Sequence, residues 1–171
     1  MYVPTPFLAA YPATCPNPSA EAAVPKDCSF YQDCVEATFE CGPKGYPIGY
    51  GYKYCERFLE QESEFSPEGQ AWINGTLTCL KAALVPSVEK PDGVTCDQVK
   101  TIAFDSHVQC YIDNGFCELA FDVRHPGQTT SFILDLMKVY QISDFASFIA
   151  IKQVAQVFAK CNFTADLLSF E

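Results

Sequence analysis

No stretch of this chain stays apolar for the roughly 20 residues that a membrane-spanning helix needs, so no helical span is expected. Basic residues are scarce: 11 Lys and Arg stand against 21 Asp and Glu, for a formal charge of −10. The few cations form no run that could track a phosphate backbone, which argues against nucleic acid and anionic membrane as partners. The carboxylates do not point to calcium, because no Asp-x-Asp-x-Asp-Gly loop is present, and dispersed acidic residues serve solubility. No Cys-x-x-Cys pair exists, and neither of the two histidines stands at zinc-finger spacing from two thiols, so no metal or cofactor is expected. Gly-x-Ser-x-Gly, Gly-x-Gly-x-x-Gly and the phosphate loop are missing too, which removes the commoner hydrolase and nucleotide sites.

What the chain does have is cysteine. Ten stand at Cys15, Cys28, Cys34, Cys41, Cys55, Cys79, Cys96, Cys110, Cys117 and Cys161, an even count far above ordinary usage. This implies an oxidising compartment, with all thiols paired and none left as a nucleophile. Two N-glycosylation sequons, Asn74-Gly75-Thr76 and Asn162-Phe163-Thr164, agree with secretion to an extracellular location. No basic residue precedes Lys26, and Pro4, Pro6 and Pro12 break the first 14 residues, so no signal peptide is visible there. A mature chain, with its signal already removed, is the expectation.

With 171 residues, 49% of them hydrophobic, there is material for one core but not comfortably for two. Residues 1–27 hold six prolines and are expected to form an extended arm tethered at Cys15. Residues 28–171 are expected to form a single all-α domain, a disulfide-stapled array of about five to six helices. Phe30, Tyr31, Cys34, Val35 and Phe39 recur at helical spacing until Gly42-Pro43, and Lys44 to Gly51 reads as a Tyr- and Gly-rich surface loop. Helices follow at about Tyr52 to Glu62 and from a Ser66 cap with Pro67 in the first position. On that helix Asn74, Thr78 and Lys81 share a face expected to meet solvent. Pro86 to Gly93 reads as a linker. Asp97 to Tyr111 then puts Val99, Ile102, Ala103, Ser106 and Cys110 on one stripe. After a short apolar turn at Cys117 to Val123, Thr130 to Tyr140 and Ser143 to Cys161 read as an antiparallel helix pair, the latter apolar over more than half its girth.

Catalytic constellations are thin. His107-Val108-Gln109-Cys110-Tyr111 has the His-x-x-Cys-Tyr spacing of secreted phospholipases A2. There an Asp follows the histidine and holds calcium, whereas here Val108 occupies that place and cannot coordinate an ion. A structural or surface role for His107 is the better reading. Glu60 with Glu62, Asp105 with Asp113, and His125 beside Pro126-Gly127 carry no sign of a shared pocket. No catalytic residue is assigned, and a non-enzymatic protein is expected.

The run Cys55-Glu56-Arg57-Phe58-Leu59, continuing through Phe65, Gly69, Trp72 and Leu77 to Cys79, then Cys96, Cys110 and Cys117, resembles the stanniocalcins, secreted disulfide-rich glycoprotein hormones. The cysteine separations of 24, 17, 14 and 7 residues follow that family's framework, and the resemblance runs from Cys15 to about Val123. It implies the bridges Cys15–Cys34, Cys28–Cys55, Cys41–Cys96, Cys79–Cys110 and Cys117–Cys161. It further implies an extracellular regulator that works by binding a protein, associated with calcium and phosphate balance or with inhibition of a secreted metalloprotease. The family's additional subunit-linking cysteine has no counterpart among the ten, so any homo-oligomer would be non-covalent. Two other readings remain: a structural subunit of an extracellular matrix, coat or filament joined through the arm and the Tyr/Gly loop, and a phospholipase A2-like lipid binder with a cavity near His107.

Overall fold

The computed structural model describes residues 15, 28–121, 124–140, 152 and 155–161, and these form an all-α fold with no strand among them. Helix α1 begins as a π-helix at Phe30–Glu36 and closes with one α turn at Ala37–Phe39. Its buried residues come in pairs, Phe30 with Tyr31 and Cys34 with Val35, at a spacing of four that the wide π turn places on one side. It ends at Glu40 in the left-handed conformation (φ 49°), two residues ahead of the expected Gly42-Pro43 stop, and the Glu36 carboxylate accepts the Gly42 N–H at 2.6 Å.

The expected loop at Lys44 to Gly51 is largely helix. Helix α2 runs as a π-helix over Pro47–Tyr52 and as an α-helix over Lys53–Gln61. Pro47 sits in the first turn, where its missing N–H costs nothing. The glycines here are packing residues rather than loop punctuation. A Cβ on Gly51 would lie 2.6 Å from the Tyr31 ring, so the absence of a side chain is what lets that ring seat against the helix.

After a 3₁₀ turn at Glu62–Glu64, helix α3 spans Pro67–Glu89, with the Ser66 hydroxyl accepting the Gly69 N–H at 3.2 Å as the expected cap. It does not stop at Pro86. Val85, Ser87 and Val88 are buried, and their burial offsets the hydrogen bond that proline removes. Nor is the face shared by Asn74, Thr78 and Lys81 uniformly wet: Asn74 is exposed, but Lys81 is only 1% accessible. Lys81 falls in line with Ile73, Leu77 and Leu84 at spacings of three and four, so packing takes its aliphatic stem inward.

Helix α4 spans Cys96–Asp113 and opens with a reciprocal capping box, Thr95 Oγ1 accepting from Gln98 N and Thr95 N donating to Gln98 Oε1. Its core stripe is Val99, Ala103, His107 and Cys110; Ile102 is 36% accessible and Ser106 is only half-buried, so the stripe lies one position round from the expected one. Helices α5 (Phe116–Phe121) and α6 (Pro126–Val139) pack together, and residues 155–161 are again helical, with Val157 buried and Phe158 against Phe121 at 5.1 Å. The expected short turn at Cys117 to Val123 is thus helix over α5. Apart from Cys15, the Pro-rich arm lies outside the described residues, as do most of the apolar girth of the last helix and Asn162.

Trp72 of α3 is the hub of the interior. Phe58, Tyr111, Phe116 and Phe132, from four other helices, surround it at ring-centroid distances of 5.3–5.8 Å, and its Nε1 donates to the Tyr111 carbonyl at 3.2 Å. Edge-to-face pairs of this kind add about 0.5–1.5 kcal/mol each beyond area burial.

Two glycine replacements separate packing from helix propensity. Gly51→Ala gains about 1 kcal/mol of propensity but drives a methyl into a fully buried ring, and a net loss of about 1–2 kcal/mol is expected. Gly127→Ala in the first turn of α6 meets nothing within 4 Å and is expected to stabilise by about 0.5 kcal/mol. Denaturant unfolding of the oxidised protein gives both signs.

Candidate binding cleft

Five bridges join Cys15–Cys34, Cys28–Cys55, Cys41–Cys96, Cys79–Cys110 and Cys117–Cys161, and no cysteine is free. These are the pairs that the stanniocalcin resemblance implies. They tie α1 to α2, the end of α1 to the start of α4, α3 to α4, and α5 to the helix at 155–161. Such a set belongs to an oxidising compartment. No helix among the described residues is long and apolar enough to cross a membrane.

The other residues singled out in the sequence are not brought into one site. His107 is buried, its Nδ1 donating to the Ala103 carbonyl at 2.6 Å and its ring flanked by Phe104, Tyr50 and Tyr111 at 5.5–6.1 Å. Burial lowers its pKa from 6.5 to about 4, against the opposing pull of that hydrogen bond, so at neutral pH it is an uncharged core residue. The cavity it borders holds about 20 Å³, room for one water molecule and not for an acyl chain. Glu62 accepts from the Asn74 side chain at 2.6 Å, while Glu60 stands apart on the exposed face of α2. Asp113 accepts from Gln109 at 2.6 Å; Asp105 and His125 are exposed. Among the described residues no cluster of His, Cys, Asp or Glu is placed to hold a metal ion. Asn74 is open to solvent, yet Thr76 of its sequon is buried with no hydrogen-bond partner for its hydroxyl, so the tripeptide is readable as a unit only before α3 packs.

The Tyr/Gly segment is where chemistry gathers. Tyr46, Tyr50 and Tyr54 rise at four-residue spacing along α2, with successive centroids 5.7 and 4.4 Å apart. Phe104 of α4 meets Tyr46 at 5.5 Å and Tyr50 at 4.9 Å, locking the two helices through their rings. Tyr31, Tyr46, Tyr111 and Tyr140 all have phenol pKa values pushed above 10, chiefly by burial, and the Tyr111 and Tyr140 hydroxyls are 2.8 Å apart.

Outside this aromatic seam lies a cleft of about 420 Å³ between the start of α2 and the first turns of α4. Tyr50, Tyr54 and Phe104 line it, with Lys44, Lys53 and Lys100 around them; Lys53 Nζ sits 5.1 Å from the Tyr54 ring centroid. A second depression of about 330 Å³ shares Asp97, Lys100 and Phe104 with it and adds Asp105 and Lys152. Sequence reasoning missed this cleft because its lysines lie far apart in the chain. The one available signal was the Tyr/Gly composition of residues 44–54.

No family model matches the chain, and no curated protein or solved structure shows significant similarity to it.

The buried histidine and tyrosines set the pH limits of the fold. His107 has a lower pKa folded than unfolded, so its contribution is present above pH 6.5 and is lost as pH falls towards 4. The phenols have raised folded values, so their contribution is present below pH 10 and is lost above it. His107→Phe is expected to remove about 3 kcal/mol of the stability difference between neutral pH and pH 4. Chemical denaturation at a series of pH values measures it. Alkaline spectrophotometric titration should show a subset of tyrosines ionising only together with unfolding.

Proposed function

We propose that this protein is a secreted, stanniocalcin-like glycoprotein that acts by binding an extracellular protein and does not catalyse a reaction. The observation that carries this reading is the bridge pattern: five cysteine pairs, spread from Cys15 to Cys161, match one by one the pairing implied by the resemblance. The packed aromatic interior supports the same reading. His107 is enclosed and neutral, Val108 follows it, and the space beside it is too small for a lipid chain. The exposed Asn74 is the position for a glycan, and the cleft between α2 and α4 offers a surface for a ligand.

The test uses protein secreted from eukaryotic cells. Sedimentation is expected to give a discrete monomer or non-covalent dimer, and cross-linking in extracellular fluid a saturable complex with one protein. Open-ended assembly would instead identify a structural subunit of a matrix or filament. Fatty-acid release from phospholipid vesicles would also overturn the proposal.

A further inference from the structure

Resting on that protein-binding reading, we infer that the cleft between α2 and α4 docks an acidic peptide segment of the partner, one carrying an aromatic or bulky apolar side chain among its carboxylates. Charge is the first argument. The chain carries −10 overall, with only 11 basic residues, yet Lys44, Lys53 and Lys100 border this cleft, and Lys152 lines the neighbouring depression that shares Asp97, Lys100 and Phe104 with it. Among the described residues the carboxylates lining the two are Asp97 and Asp105, fewer than the four lysines. Lys44, Lys100 and Lys152 are exposed and reach water.

Helix geometry adds to the charge. Gly45, Tyr46 and Gly49 at the start of α2 and Cys96 and Asp97 at the start of α4 line the same cleft, so the N-terminal ends of two helices converge on it. The partial positive charge at these two helix starts favours an anion. The Cys41–Cys96 bridge and the Phe104–Tyr50 contact hold these two ends in fixed relation before any ligand arrives.

The floor supplies the second element of recognition. Half-buried Tyr50 and Phe104 line the cleft with their rings 4.9 Å apart and steeply inclined, and an aromatic or apolar side chain can stack on the part of that surface that stays accessible. The volume of about 420 Å³ accepts a side chain or two and excludes a folded domain. A long polyanion fits less well. Its charges need an uninterrupted basic track, and Asp97 and Asp105 interrupt this one.

The probe is a synthetic peptide with glutamates flanking a central phenylalanine, titrated against the intact oxidised protein by calorimetry and amide chemical-shift mapping. Saturable binding is expected, with shifts at Tyr50, Lys100 and Phe104. It should weaken about tenfold in Lys44→Ser/Lys100→Ser, a surface double variant whose fold is checked by circular dichroism, and several-fold on raising salt to about 0.5 M. Replacing the peptide's phenylalanine with alanine should cost a further threefold or more, about the value of one buried ring contact. Equal binding of a lysine-flanked peptide, unchanged affinity in the double variant, or preference for a sulfated oligosaccharide would overturn the inference. The two proposals separate cleanly. If the double variant still captures the extracellular partner at full strength, the cleft assignment fails while the protein-binding reading stands; if no partner is captured, the broader reading fails whatever the peptide does.

Discussion

Helix α4 is bridged to the rest of the chain near both ends, by Cys41–Cys96 at its first residue and by Cys79–Cys110 in its last turns. Between those points its inward residues, Val99, Ala103 and His107, face α3 and the aromatic seam of α2. The Cys79–Cys110 loop closes 31 residues and the Cys41–Cys96 loop 55, separations at which restriction of the unfolded chain is worth about 3–4 kcal/mol per bridge. Those constraints do more than add stability. They fix where α4 begins relative to α2, and that relation creates both the Phe104–Tyr50 contact and the cleft beside it.

Aromatic packing takes over where the bridges leave off. Trp72 gathers rings from four other helices, and the tyrosines of α1, α2 and α4 extend the cluster towards the cleft. The π-helical starts of α1 and α2 belong to the same scheme, since the wider turn spaces buried pairs at four residues and brings Tyr31 against Gly51. Among the described residues this packing encloses His107, Tyr31 and Tyr46. A histidine held neutral and phenols held protonated are groups kept away from exchange with solvent. On the surface, Lys44, Lys53 and Lys100 stand around the aromatic-lined cleft, and Lys152 lines the depression beside it.

Much of this fold is legible in the sequence, for identifiable reasons. Helical spacing marked α1 and α3, Ser66-Pro67 marked the start of α3, and the even cysteine count marked the stapled class. The misreadings have one common cause: local composition was outvoted by burial. Gly49 and Gly51 looked like loop residues because nothing nearby in sequence reveals Tyr31, which needs the space. Pro86 looked like a boundary because Val85 and Val88 reveal their partners only in three dimensions. Lys81 looked suited to the surface, and His107 was open to a structural or a surface role, yet each falls on a stripe whose other members are apolar. The cleft was the least legible feature, since Lys44, Lys53 and Lys100 come to line one cleft only when the start of α4 is set beside the start of α2.

The account stands on the bridges, and non-reducing peptide mapping by mass spectrometry on naturally secreted protein tests them most directly. It predicts peptides joining Cys79 to Cys110 and Cys41 to Cys96, together with Cys15–Cys34, Cys28–Cys55 and Cys117–Cys161 and no free thiol. Cys79 or Cys96 found with another partner, or any cysteine recovered as a free thiol, would contradict both the helical frame and the family reading built on it.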